Sequence, residues 1–382
     1  MKIERVEVHV VAPKAQRFTW FHDLPEQYMT NTVIRIFTDE GIEGAAGVSN
    51  YTSYDFDRYT AETMRHMIPA LIGRDPLQRE TIWSSLWSRV FPLSPGALAA
   101  IDIALWDIKG KHHDEPIWNL LGGKVRNKVR LHLLLGIEHG NSKSNNQGII
   151  DAAKKAVKMG FTALKIDPLP SNYFDLSLDK LIKETEDIVA ALREGAGSEV
   201  DIILEIHRKL TPMTSIHLAN AVKKFNPMFY EDPIQIDSIM SQGEIAKRVS
   251  IPVANGERMH SIWEFRELLS HGGPQYVRPD IGLAGGFTQT KKIASIAESY
   301  HSALVMHNFL GPILTAASVH LDVNIPNLTV GMKLENLNTE NPSAIVKDVV
   351  RTAKPALLFV KLIESITFVP EGGMEFEGKF SR

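Results

Sequence analysis

Apolar and polar positions alternate near the start of the chain. Residues 3–11, with Ile3, Val6, Val8 and Val10, have the pattern of a half-buried strand, and Thr32–Thr38 (TVIRIFT) repeats it. Asp39-Glu40-Gly41 forms a turn signal, after which Ile42–Gly47 resumes the strand pattern. An antiparallel meander is the expectation. Between its first two strands, residues 16–29 carry Trp20, Phe21, His22 and Tyr28. So long and aromatic a connection reads as a lid, with a packed Ω-loop as the alternative. Residues 49–54 form a second polar-aromatic loop. Helical periodicity then runs over Phe56–Leu71, Leu77–Phe91 and Ala97–Lys109. The last is apolar on two faces, which predicts a buried helix and a structural role for its two acids, Asp102 and Asp107. Trp118–Lys124 reads as a short helix closed by glycine, and the boundary of a first α+β domain, residues 1–125, is placed there.

From Val129 the rhythm becomes strand then helix, repeated. The strands are expected at Val129–Leu135, Ala163–Ile166, Ile202–Ile206, Met228–Tyr230, Pro252–Ala254, Tyr276–Val277, Ala303–Met306 and Thr329–Leu334. Amphipathic segments over Ile150–Met159, Leu178–Leu192, Ser215–Lys224, Ser238–Val249, Ile262–Leu269, Phe287–Tyr300 and Leu314–Leu321 separate them. Alternation predicts a parallel sheet, and eight units predict closure into a modified (β/α)8 barrel over residues 126–345. The alternative is a doubly wound open sheet. It needs a phosphate-binding fingerprint after the first strand, and Leu135-Gly136-Ile137-Glu138-His139-Gly140 is not one. Residues 346–382 form a tail expected to return to the first domain, completing an α+β cap.

Composition narrows the classes. With 42 basic and 45 acidic residues the formal charge is −3, and no basic patch points to nucleic acid. The chain has no cysteine, so disulfides, thiolate metal sites and thiol nucleophiles are excluded. The N-terminal pattern is not a signal peptide and no apolar run spans a bilayer, so a soluble cytoplasmic protein with no membrane partner is expected.

The chemistry collects at the strand ends. Three apolar runs each finish in an acid: Glu205, Glu231 and Glu257, evenly spaced at 26 residues (205 to 231 to 257). That spacing is one βα unit, so the three carboxylates are expected at the C-terminal mouth of the barrel, where catalytic groups gather. Singly each could be a solvated acid or a strand exit. Converging, they repel unless protons or a cation intervene, and one Mg²⁺, a hard ion with oxygen ligands, is the simplest remedy. Other strands end in Lys165 and Asp167, Asp280, His307 and Asn308, and Glu335 and Asn336. His207, two residues after Glu205, is expected on the same face as that acid. Asp280 beside His307 would hold one ring nitrogen and raise the basicity of the other; a purely structural Asp–His bond is the alternative. Lys165 could snorkel or aim its charge at the centre. Gly285-Gly286 at a helix start reads as close packing before anion binding.

Six motifs together give the chain a family resemblance. They are Ile101-Asp102-Ile103-Ala104-Leu105-Trp106-Asp107, Leu120-Leu121-Gly122-Gly123-Lys124, Tyr230-Glu231-Asp232-Pro233, Asn255-Gly256-Glu257-Arg258, Asp280 with Ala284-Gly285-Gly286, and Met306-His307-Asn308. Over its whole length the chain resembles the enolase superfamily, in the mandelate-racemase-like branch, and is most similar there to acid-sugar dehydratases of the gluconate and galactonate type. The resemblance implies Mg²⁺ on Glu205, Glu231 and Glu257, and Asp280–His307 as the base pair. Racemases of this branch carry Lys-x-Lys on the second barrel strand, where this chain has Lys165-Ile166-Asp167. With that second base missing, elimination is favoured over racemisation, and His207 becomes the candidate acid for the departing hydroxyl. The resemblance further implies an aldonate substrate such as D-gluconate or D-galactonate, C2 deprotonation by His307, charge stabilisation by Lys165 and Glu335, and a 2-keto-3-deoxy acid product. Substrate contacts are expected from Arg258, Asn308 and Trp20, and a homo-oligomer, dimer to octamer, is expected by the same likeness. An isomerase of the same fold and a non-catalytic sugar-acid-binding relative are the rival classes.

Overall fold

The computed structural model describes residues 1–11, 30–49, 54–90, 94–135, 146–308, 312–330, 333–335, 366–369 and 373–376. The loop at 16–29 with Trp20, most of 49–54, and the tail outside its two short strands lie outside the described residues.

The N-terminal meander consists of β1 (Ile3–Val11), β2 (Asn31–Thr38) and β3 (Glu43–Val48), antiparallel in that order. Ile34 and Ile36 on β2 alternate with half-buried neighbours, so one face meets helices and the other is wetter. The helices are α1 (Tyr54–Leu71), α2 (Arg79–Val90), α3 (Pro95–His113) and the short α4 (Ile117–Leu120). Proline starts α3, where its missing N–H costs nothing, and Asp114 ends it in a left-handed conformation at φ 53°. Between those ends, Gly96–Ile108 is buried without interruption, so α3 is the axle on which the sheet, α1, α2 and the barrel helices pack. Each large apolar side chain buried there stabilises the fold by roughly 1.5–3 kcal/mol.

The barrel begins after β4 (Lys128–Arg130). Its parallel strands are β5 (His132–Leu134), β6 (Ala163–Ile166), β7 (Asp201–Glu205), β8 (Phe229–Glu231), β9 (Val253–Asn255), β10 (Tyr276–Val277) and β11 (Ala303–Val305), followed by β12 (Leu328–Val330) and β13 (Lys333–Glu335). Each pairs with the next from β5 to β12, and β13 pairs back onto β5, bringing the sheet round on itself. The intervening helices are α5 (Asn146–Lys158), α6 (Leu178–Ala196), α7 (Pro212–Val222), α8 (Ile239–Arg248), α9 (Ile262–Ser270), α10 (Gly286–Ser299) and α11 (Pro312–Asp322). This is the modified (β/α)8 barrel with an N-terminal α+β domain that the alternation predicts. Among the described residues no helix is long and apolar enough to cross a membrane.

Two expected strands divide. Val129–Leu135 breaks at Leu131: β4 pairs with β15 (Gly373–Phe376), itself paired with β14 (Ile366–Val369), while β5 enters the barrel. Thr329–Leu334 divides into β12 and β13, which pair with opposite neighbours. An alternating pattern specifies a pleat but not a partner, so a strand that changes partners midway reads as one.

The two acids of α3 fasten the layers together. Asp102 accepts from the Thr288 N–H at 3.0 Å and hydroxyl at 2.5 Å, and Trp106 Nε1 donates to that hydroxyl at 3.0 Å. A side chain on Gly286 (φ 76°) would collide with Asp102, so close helix packing explains this glycine. Asp107 accepts from the Ala45 N–H at 2.9 Å and from Lys111 at 2.8 Å, tying α3 to β3.

Candidate metal centre and active site

Parallel pairing sets Glu205, the last residue of β7, beside Glu231, the last of β8. Glu257 follows β9 by two residues, across Asn255-Gly256. Gly256 has φ 127°, and a Cβ there would stand 2.5 Å from the Phe265 ring, so only glycine makes this turn. The result is a cluster of three buried carboxylates with ligand atoms within 4.8 Å of one another.

A cation faces each acid. Lys165, fully buried on β6, meets Glu205 and lies 2.7 Å from Glu231. Arg278, fully buried just beyond β10, meets the other oxygen of Glu231 and leans over Phe229. Arg208 bridges Asp232 at 2.6 Å and Glu257 at 2.5 Å. Burial opposes ionisation at Glu205, but Lys165 overrides it and holds the carboxyl well below the usual range. Burial likewise opposes ionisation of Glu257, and His307 and Arg208 override it. At Glu231 burial prevails over Arg278, and with Glu205 beside it the carboxyl is pushed well up. All-oxygen donors, burial and mutual repulsion fit a hard divalent cation, which would offset the repulsion among Glu205, Glu231 and Glu257.

Two Asp–His pairs flank the cluster. Asp280 and His307 lie side by side as a parallel backbone bridge beyond β10 and β11. Asp280 Oδ2 is 2.6 Å from His307 Nδ1, its Oδ1 takes the Gly282 N–H at 2.7 Å, and His307 Nε2 points at Glu257, 3.3 Å away. On the other side His207 Nδ1 is 2.7 Å from Asp167 Oδ2, and the His207 N–H donates to Glu205 Oε1 at 3.0 Å. Lys209 shares that Asp167 oxygen at 2.6 Å. Burial raises Asp167, but Lys209 and His207 outweigh it and keep the carboxyl well below its ordinary value.

The turn after β7 is strained. His207 and Arg208 are consecutive left-handed residues, at φ 53° and 64°, and Asp232 sits at φ 41°. Such conformations cost about 1–2 kcal/mol each and need surrounding bonds to hold them. Here the Arg208 N–H bonds to Asp232 O at 2.7 Å while its guanidinium reaches across to the next two strand ends.

The residues expected at the mouth thus come together as follows. Lys165, Glu205, His207, Glu231, Glu257, Asp280 and His307 form one buried or nearly buried constellation. Arg258 stands on its rim, half-buried, with Nε 3.9 Å from Glu257. The Asn308 amide turns into the fold, donating to Thr315 at 2.9 Å and accepting from Ser318 at 3.4 Å, both on α11. Glu335 ends β13 beside Leu134; its side chain, like Trp20, lies outside the described residues. The sequence reading missed Arg208, Asp232 and Arg278 as members. Arg278 had a signal: an arginine directly after the apolar Tyr276-Val277 and two residues before Asp280 has nowhere polar to go but the barrel mouth.

Comparison with known proteins agrees with this geometry. Residues 5–122 match the mandelate racemase / muconate lactonizing enzyme N-terminal domain, and residues 148–356 match the enolase C-terminal domain-like family. The chain is 33% identical over 304 residues to a D-galactonate dehydratase of Pectobacterium atrosepticum, covering 78% of this chain and 76% of that one. It superposes on a mandelate racemase/muconate lactonizing enzyme from Sulfitobacter sp. with TM-score 0.79 at 26% identity, covering 98% and 91% of the two chains. An enolase from Agrobacterium radiobacter, with Na and L-malate bound, matches with TM-score 0.76 at 25% identity over 87% and 80%. The chain belongs to the enolase superfamily, in its mandelate racemase/muconate lactonizing enzyme branch.

Proposed function

We propose that the protein is a Mg²⁺-dependent hydro-lyase that removes water from a sugar acid, an aldonate such as D-galactonate or D-gluconate, to give a 2-keto-3-deoxy acid. One observation carries the reading: the two Asp–His pairs stand on either side of the carboxylate cluster, and Asp167 takes the place of the second lysine in the Lys165-Ile166-Asp167 run. Racemisation needs a base on each face of one carbon. Elimination needs a base for a C–H and an acid for a neighbouring C–OH. The likeness to a D-galactonate dehydratase supports the same reaction and substrate class.

Glu205, Glu231 and Glu257 would hold the cation, which when bound anchors the substrate carboxylate and stabilises charge developing on it. His307 takes the C2 proton on Nε2, the nitrogen opposite Asp280. Lys165 offsets the negative charge that this step creates, and Glu335, in its protonated form, would donate a hydrogen bond to it. His207 gives a proton to the C3 hydroxyl as the C–O bond breaks, so one water leaves and the enol becomes the keto acid. Arg258 at the rim and the aromatic segment with Trp20 are the proposed substrate contacts, whereas the Asn308 amide, bonded to Thr315 and Ser318, faces the fold and is not one.

The test is a panel of aldonates and aldarates with Mg²⁺, followed by an assay for α-keto acid and by mass. Product lighter by one water is expected. Product of unchanged mass, from a turned-over substrate, would make the protein an isomerase instead.

A further inference from the structure

We propose that Asp167 is a positioning residue for His207: it grips the ring by Nδ1 and so aims Nε2, on the opposite edge, at the leaving hydroxyl. The inference rests on the dehydratase reading and deepens it.

Asp167 ends the β6 region, one strand before the residue it serves, and is nearly buried. Its Oδ1 takes the Leu169 N–H at 3.2 Å, closing a local turn that fixes the carboxylate plane. Its Oδ2 then faces His207 Nδ1 at 2.7 Å. His207 needs such a grip. Its backbone is left-handed, with the N–H on Glu205, and the bond from Asp167 to Nδ1 holds the ring itself. The arrangement matches Asp280–His307 in each part: an aspartate oxygen takes an N–H two residues on, the other oxygen takes Nδ1 of a histidine from the next strand, and the pair borders the three glutamates. An aspartate on Nδ1 sets a ring's orientation and tautomer.

Lys209 offers a competing explanation, because it bonds the same Asp167 oxygen at 2.6 Å. Asp167 could then be only the partner of a loop-anchoring ion pair. The two roles differ in what they do to the two halves of the reaction. Loss of aim at His207 slows C–O cleavage and leaves C2 deprotonation to His307. Loss of a loop anchor slows both.

The experiment follows both halves in D₂O with Mg²⁺ and an aldonate that the wild type turns over. It records α-keto acid formed and deuterium at C2 of recovered substrate for Asp167→Asn, Asp167→Ala, Lys209→Met and, as benchmark, His207→Asn. Water loss should fall about 10- to 100-fold in Asp167→Ala while C2 exchange changes by less than about threefold. His207→Asn should show the same split more strongly. Asp167→Asn, which keeps an oxygen for the Nδ1–H, should recover part of the loss. Lys209→Met should leave the ratio of the two rates within about threefold of wild type. Parallel loss of both rates in the Asp167 variants, or a Lys209→Met variant that copies them, overturns the assignment. A wild type that makes no α-keto acid from any aldonate removes the dehydratase reading and this inference with it, a failure visible before any substitution is made.

Discussion

Two groups of buried acids lie in this molecule, and they behave differently. In α3, Asp102 and Asp107 are surrounded by donors that belong to the fold: the Thr288 N–H and hydroxyl, the Ala45 N–H and the Lys111 ammonium. Neither faces another carboxylate at bonding distance. At the barrel mouth, Glu205, Glu231 and Glu257 face one another, and the groups opposing them are whole charges, Lys165, Arg278 and Arg208. Burial penalises ionisation in both places. What separates them is convergence. A carboxylate whose oxygens are met by donors on neighbouring elements is a fastener. Carboxylates aimed at one point create a negative locus that protons or cations must relieve, and a divalent ion fits that point.

The sharpest way to break this contrast is Glu231→Gln. It removes the carboxylate at the centre of the proposed metal site without changing shape. Mg²⁺ affinity by calorimetry should fall more than about 100-fold, turnover should vanish with it, and added Mg²⁺ should no longer raise the melting temperature. Retained affinity would reduce the cluster to an ion-pair network. His307→Asn tests the neighbouring pair. It should cost about 10²- to 10⁴-fold in kcat and stop deuterium entry at C2, with Mg²⁺ affinity little changed. Exchange at the wild-type rate would move the base elsewhere.

The contrast also explains what could be read from the sequence. The three glutamates were legible because a βα unit has a nearly fixed length, so a 26-residue interval converts directly into a common barrel end. Asp280 and His307 were legible for the same reason, since both follow apolar strand runs. The acids of α3 were legible as structural because the helix is apolar all round. Arg208 was not, because its reach depends on two consecutive left-handed residues that no periodicity announces. Asp232 was masked by Pro233, which makes Glu231-Asp232-Pro233 look like an ordinary strand exit. Asp167 was visible as a strand-end acid and as a departure from a lysine pair, but without a partner; its bond to His207 is a contact between neighbouring strands 40 residues apart. The divided strands failed for a topological reason, since the alternation of Val129–Leu135 continues unchanged while the pairing partner switches from β15 to β13 and β6.

A smaller effect separates the two acid groups by pH. Burial pushes Asp102 up to about 7, with Thr288 pulling it down. Its folded value therefore lies above its unfolded one, so the folded state holds a proton that the unfolded chain gives up from about pH 4 upward. Stability should fall as pH rises through that window, by roughly 4 kcal/mol at pH 8. Asp102→Asn imitates the protonated acid and can keep the bonds to Thr288. It should match wild type near pH 4, surpass it at pH 8 in urea unfolding, and leave Mg²⁺ affinity unaltered. Equal stabilities at pH 8 would show that the carboxylate is comfortably ionised inside α3, and the distinction between the two groups would weaken.

The smallest predicted effect extends the contrast to histidine. His307 has Asp280 and Glu257 against its two nitrogens. His320, on α11, is as buried but has no acid bonded to it among the described residues; its Nδ1 accepts the Trp118 N–H at 3.3 Å and its ring meets Phe287 edge-on. Burial alone pushes it down to about 3, so the folded protein keeps it neutral. The unfolded chain protonates it below about pH 6.5, and its contribution to stability is whole above that point and shrinks as the pH falls toward 3. By pH 5 the loss is about 2 kcal/mol. Glutamine at this position cannot titrate and retains an acceptor for the Trp118 N–H. The difference in unfolding free energy between wild type and His320→Gln should thus be flat from pH 8 to pH 6.5 and then move by about 2 kcal/mol in favour of the variant by pH 5. A difference that stays constant across this range would mean that the ring takes up its proton inside the fold, and that burial without an acidic neighbour does not suffice to keep a histidine neutral here.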